Sequence, residues 1–186
     1  MGNSFGGRIA IDVTLTHPDL VRALVLVAPG LGGFEGSPEL DAFDEEEDAL
    51  LDAGRIEEAV ELNLRTWLDG DGRRSAPVPS EVREHVAGMQ RNSFEVIVAA
   101  YQRTPEPGPV AWADPPAATR LGEISAPTLV AGCAHDQPDF RRLAELVAAG
   151  IRGAEHVALA TAHLPSVEQP EELNRLLLGF LAAHAA

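Results

Sequence analysis

Three short apolar runs that do not alternate divide the chain: Ala23-Leu24-Val25-Leu26-Val27-Ala28, closed by Pro29-Gly30; Thr128-Leu129-Val130-Ala131-Gly132, entered from Pro127; and His156-Val157-Ala158-Leu159, after Gly153. Runs of strand length without polar alternation belong to strands covered on both faces, as in parallel sheets. Helical spacing fills the intervals. Ile9, Ala10, Val13 and Leu15 predict a helix over 8–16 that starts just behind Ser4 and stops at His17-Pro18, because a residue before proline avoids the helical region. The same spacing predicts helices over 140–149 and 171–183. Strand and helix alternating at these intervals predict an α/β fold, a parallel sheet flanked by helices.

Residues 34–109 break that alternation. They read as helices over 39–51, 56–68 and 81–101 with a loop over 70–79, an inserted helical cap between two strands. The division is therefore 1–33 and 110–186 for the core and 34–109 for the cap. Asp41, Asp44, Glu45, Glu46, Glu47 and Asp48 fall where a helix would begin and read as a solvated first turn favoured by the helix dipole.

Charge and composition narrow the partners. Against 14 basic residues stand 29 acidic ones, a net charge of −15 that repels phosphate backbones and anionic lipid headgroups alike. Neither nucleic acid nor a membrane surface is an expected partner, and no apolar run approaches the roughly 20 residues of a bilayer span. Cys133 is the single cysteine, which forbids an intrachain disulfide and indicates a reducing cytoplasmic setting. The 186 residues, 45% hydrophobic and 23% charged, suit a soluble globular fold. They set no oligomeric state.

Gly2-Asn3-Ser4-Phe5-Gly6 fits G-x-S-x-G with a helix immediately behind it, the context in which a sharp turn lifts a serine hydroxyl above a sheet edge. Glycines flank such a serine because side chains there would clash, and Gly7 would let the helix pack closely. A serine is a weak nucleophile unless a histidine takes its proton and a carboxylate holds that histidine. The chain order for this elbow is serine, acid, histidine. Asp136 follows the strand ending at Gly132-Cys133, and His163 follows the strand ending at Leu159. Both are therefore on loops at the C-terminal ends of strands, where sites of open parallel sheets gather. Asp139 reads as the cap of the helix behind it, leaving Asp136 free for chemistry. Of the other histidines, His156 opens a strand, His17 ends a helix, His85 lies in the cap and His184 in the tail. His135 adjoins Asp136 too closely for one to orient the other. No metal-ligand spacing links His135, Asp136, His156 and His163.

Taken together, Gly2-Asn3-Ser4-Phe5-Gly6-Gly7, His17-Pro18-Asp19-Leu20-Val21, the strand at 24–27, Pro127-Thr128-Leu129-Val130-Ala131-Gly132, His135-Asp136 and His163-Leu164-Pro165 resemble the C-terminal two-thirds of an α/β-hydrolase-fold serine hydrolase. Within that family the elbow and helical cap are similar to small-molecule esterases, enol-lactonases and carbon–carbon bond hydrolases. The resemblance implies Ser4 as nucleophile, Asp136 as acid, His163 as base, the Phe5 backbone N–H as an oxyanion donor, a small-molecule substrate, and no cofactor or metal. Serine at the elbow sets the chain apart from dehalogenases and epoxide hydrolases, which carry aspartate there. Trp67, Met89, Phe94, Tyr101 and Trp112 are candidate pocket walls, though large apolar residues at helical spacing more often form core.

In the family the elbow follows the fifth strand, so further strands and a second oxyanion donor are expected before residue 1, with the start assigned late in the gene. Loss of one such donor costs about 100- to 1000-fold in turnover. On this expectation Ser4 has no strand beneath it and the strand at Leu24 is an unpaired edge. The alternative is a catalytically inactive hydrolase-fold protein that acts as a binding or interaction module.

Overall fold

The computed structural model describes residues 1–70, 78–103 and 112–184. Within them a four-stranded parallel sheet runs in the order β1 (Gly2–Asn3), β2 (Leu24–Val27), β3 (Thr128–Cys133), β4 (Glu155–Leu159). Register follows Gly2↔Leu26, Leu24↔Thr128 and Leu129↔Glu155. β2 and β3 are buried at every position, as unalternating runs require. β1 was not expected. Though only two residues long, it pairs beside β2 and leads directly into Ser4, so the serine does have a strand beneath it and β2 is not the sheet edge.

Pleating sends successive side chains to opposite faces. Leu24, Leu26 and Val130 join Ile11 of α1 (Phe5–Thr16) and Leu143 and Val147 of α5 (Pro138–Gly150) in one cluster; Val25, Val27, Leu129 and Ala131 meet Leu173 and Phe180 of α7 (Pro170–His184) in another. The helix behind Ser4 is rotated from its expected setting. Ile11 is wholly buried and Ala10 and Leu15 pack on the core, while Ile9 and Val13 face outward. α6 is a single short helix at Pro165–Glu168.

Between β2 and β3, α2 (Pro38–Asp52), α3 (Ile56–Asn63) and α4 (Ser80–Arg103) pack around their own cluster of Leu50, Val60, Leu62, Leu68, Val86 and Phe94. The helix expected over 56–68 is α-helical only to Asn63. Residues Leu64–Asp69 then widen into a π-helical turn, and most of the expected loop at 70–79 and the end of the cap lie outside the described residues. The acidic cluster also sits differently from expectation. Ser37 caps α2, Glu39 and Asp41 occupy its first turn, and residues 44–48 lie in mid-helix, beyond the reach of the N-terminal dipole. The cap of α5 is Gln137, whose side chain accepts from Asp139 N–H. Asp139 instead takes the Ser37 N–H and hydroxyl at 3.0 and 2.6 Å, tying α5 to the start of α2.

Candidate active site

Ser4 stands between β1 and α1 at φ 52°, a left-handed conformation that costs a serine of order 1–3 kcal/mol and persists only where the surroundings enforce it. Four backbone bonds do so. Ser4 N–H donates to Val27 C=O at 3.0 Å, and Ser4 C=O accepts from Gly7, Arg8 and Gly30 N–H groups. A Cβ on Gly2 would fall 2.1 Å from Gly6 C=O, and one on Gly7 2.9 Å from the Pro29 ring. Gly6, by contrast, has open space around it, so the clash argument applies to Gly2 and Gly7 and not to Gly6. The Phe5 N–H is the first of the helix, a position with no intrahelical acceptor.

Asp136 lies on the loop after β3 and is fully buried; His163, on the loop after β4, is buried too. Asp136 Oδ1 accepts Gln137 N–H at 2.8 Å, and Oδ2 meets His163 Nδ1 at 2.7 Å. A carboxylate only accepts, so the pairing suits a proton on Nδ1, which in the neutral ring leaves the lone pair on Nε2. The ring is held on two sides, with Trp67 at 4.8 Å and Phe140 edge-on at 4.6 Å between centroids. The main chain is held as well, since His163 N–H donates to Trp67 C=O at 3.0 Å.

Ser4, Phe5 and His163 line one open cavity of about 610 Å³, to which the segment between β2 and β3 contributes Phe43, Trp67 and Phe94. Asp136 and His163 are thus brought together, and Ser4 faces the same space. Ser4 Oγ has no hydrogen-bond partner among the described residues. Apo sites often show such bonds long or unmade. Of the candidate walls, Trp67 and Phe94 line this cavity and Tyr101 an adjoining one. Met89 lines neither. Trp112 packs edge-on to Phe5 and under the Arg8 guanidinium.

Glu47, read from sequence as a solvated charge, is half-buried in the cavity wall, where it accepts from buried Asn63 at 2.5 Å. Burial pushes its carboxyl pKa up and so does repulsion by Asp44 and Asp48, while the Asn63 bond pulls the other way. Asp44 is raised too, by burial first and then by repulsion from Asp48 and Asp41. Neither Glu47 nor the Trp67 carbonyl was legible as a site group, because both depend on where α2 and the π-helical turn pack. The one sequence signal for Glu47 was an acidic run too long for a first turn; the Trp67 carbonyl had none.

A parallel sheet with a strained serine turn after the first strand and a carboxylate–imidazole pair on the loops after the third and fourth defines a hydrolase-type α/β architecture. The chain belongs to the alpha/beta hydrolase family, whose pattern matches residues 1–176. It is 47% identical over 97% of its length to the pyrrolizixenacetamide deacetylase of Xenorhabdus hominickii. It is 30% identical over 98% to the 2-hydroxy-6-oxononadienedioate/2-hydroxy-6-oxononatrienedioate hydrolase of Klebsiella pneumoniae. It spans 64% and 61% of the lengths of those two proteins. A hydrolase structure from Pseudomonas aeruginosa PA01 superposes with a TM-score of 0.65 at 27% identity, covering 97% of this chain and 63% of that one.

Proposed function

We propose that this chain carries the reaction centre of a serine hydrolase acting on a small carbonyl compound, with 34–109 as its cap over a core of 1–33 and 110–186. His163 Nε2 takes the Ser4 hydroxyl proton as Oγ adds to the carbonyl carbon, and the Phe5 N–H donates to the oxyanion. The imidazolium, stabilised by Asp136, returns the proton to the leaving group as its bond to the acyl carbon breaks. Water, deprotonated by His163, then releases the acid and restores Ser4. No step calls for a cofactor, and the lone Cys133 suits a reducing cytoplasm.

The observation that carries this reading is the buried 2.7 Å Asp136–His163 pair, opening on the cavity that the strained Ser4 also lines. The deacetylase and the dienedioate hydrolase supply the bond types to try, amide or ester first and carbon–carbon second. The test is covalent labelling of the folded chain by an uncharged alkyl fluorophosphonate. Wild type labels at Ser4; Ser4→Ala does not; His163→Ala and Asp136→Asn label at least about 100-fold more slowly. A folded wild-type chain that fails to label, or a Ser4→Ala chain that labels equally, would overturn the reading in favour of a binding module.

A further inference from the structure

The lining of the cavity is mixed in chemistry. Besides Ser4 and His163 it includes Asp44 and Glu47 of α2 and Asn63 of α3 among apolar walls, and Glu47 also lines an adjoining hollow that Ser4 and His163 do not reach. Asn63 spends both amide hydrogens, one on Glu47 Oε1 and one on Ala59 C=O at 3.0 Å, so what remains on offer is acceptor capacity. Among the described residues lining this cavity, Asn3, Ser4, Trp67 and Gln90 are neutral groups with hydrogens to give. A second hollow of about 610 Å³ shares Glu47, Phe94 and Ile97 with the first and continues outward past Asp48, Asp52 and Tyr101. Residues 44, 48 and 52 succeed one another at four-residue intervals, so α2 presents one continuous acidic stripe to this track. Among the described residues lining either hollow there is no arginine, and the sequence contains no lysine.

Three consequences follow for a bound molecule. An alkyl or aromatic body is welcome against Phe43, Trp67 and Phe94. A carboxylate placed beside Glu47 and Asp44 meets like charge, with neutral donors such as Gln90 but, among the described lining residues, no arginine or lysine to compensate, which costs affinity. An ammonium there finds carboxylates as partners, the acceptor amide of Asn63, and aromatic faces that attract cations. The upward pKa shifts of Glu47 and Asp44 accord with this, since lost hydration and mutual repulsion are both relieved by a cation.

We infer that this site selects substrates whose remote end bears an ammonium or similar cationic N–H group and rejects those ending in a carboxylate, with Glu47 and Asp44 as the discriminating residues. The word substrate rests on the serine-hydrolase reading; the charge preference of the cavity does not.

The experiment separates the two. Binding of n-octylammonium and of octanoate, equal in chain length and opposite in charge, is measured by titration calorimetry near physiological salt. The same ligands are then tested for protection of Ser4 from the fluorophosphonate. The ammonium should bind at least about 10-fold tighter than the carboxylate and slow labelling. Glu47→Gln with Asp44→Asn should reduce that ratio to about 3-fold or less. Asp19→Asn with Glu155→Gln removes the same net charge at the N-terminal ends of the strands, away from the site, and should leave the ratio unchanged. Equal or tighter binding of octanoate, no binding of either, or a ratio indifferent to Glu47→Gln/Asp44→Asn while circular dichroism reports a folded chain would overturn the inference. Absent labelling with the charge preference intact would instead sink the serine chemistry alone.

Discussion

Gly2 is the residue on which the serine's geometry turns. Its Cα lies so close to the first turn of α1 that a methyl group would overlap Gly6 C=O at 2.1 Å, and backbone cannot swing aside as a side chain can. Gly2→Ala should therefore destabilise the fold by about 3 kcal/mol and release Ser4 from φ 52°, read as a lower urea midpoint together with lost fluorophosphonate labelling. Gly6→Ala, with nothing within 4 Å of its added carbon, should leave the midpoint nearly unchanged and serves as the internal comparison. Gly70 makes the same argument on the histidine side. It sits at φ 77°, and a Cβ there would meet His135 C=O at 2.5 Å and the Ala162 methyl at 2.9 Å. Cys133 is a contrasting case, since burial pushes its thiol up to about 12, leaving almost no thiolate near neutrality. Iodoacetamide at pH 8 should spare it in the folded chain and alkylate it once guanidinium unfolds the protein, a difference that intact mass spectrometry resolves.

Among elements, the least expected join is the one between α5 and α2. Asp139 is almost fully buried, which by itself would raise its pKa; the Ser37 hydroxyl, Ser37 N–H and Gln137 amide, with Arg142 nearby, outweigh that and hold it below its ordinary 3.8. A lowered folded pKa contributes stability that is present above the unfolded value and lost as pH falls through the folded one. Asp139→Asn should thus be about 1–3 kcal/mol less stable than wild type at pH 7. The gap should close as pH drops below 3.8, as chemical denaturation across a pH series would record.

That join also marks the limit of what could be read from the chain. β2, β3 and the long helices were legible because their apolar periods are set by burial on one or two faces; β4 was placed but not its burial, since at the end of the sheet Glu155, His156 and Ala158 are exposed and only Leu159 is buried. The loop positions of Asp136 and His163 were legible because each follows a strand end, and the turn at Ser4 because a helix follows its G-x-S-x-G. β1 escaped notice because two residues carry no period. The mid-helix position of the acidic run, the π-helical widening at Leu64 and the Asp139–Ser37 bond escaped because each is decided by a neighbour remote in sequence, 102 positions away for the last. The rotation of α1 belongs with these, since Ile11 was chosen for burial by the sheet and not by helical spacing.

For the whole molecule, charge and exposed apolar surface pull in opposite directions. A net charge of −15 keeps chains apart and strains each one by self-repulsion. Raising sodium chloride from about 20 to about 200 mM shortens the screening length from roughly 20 to 7 Å and should raise the melting temperature; a fall would show that attractive ion pairs dominate instead. The same salt should promote association, because Phe5, Ile9 and Val13 form an exposed stripe along α1 at 56%, 44% and 38% accessibility, beside a β1 edge of only two residues. Ile9→Glu should suppress any concentration-dependent rise in sedimentation coefficient while leaving the melting temperature within a degree or two.

The hydrogen bond from His163 N–H to Trp67 C=O carries a lesson for anyone recombining these proteins. The helices over the cavity look like an interchangeable accessory, to be swapped when a new specificity is wanted. Yet the acceptor that holds the imidazole loop belongs to them, delivered by a widened turn at Leu64–Asp69 and by the glycine after it. A donor segment grafted for its pocket alone would leave that amide without its acceptor, so the graft boundary belongs after Gly70 and not before Leu64.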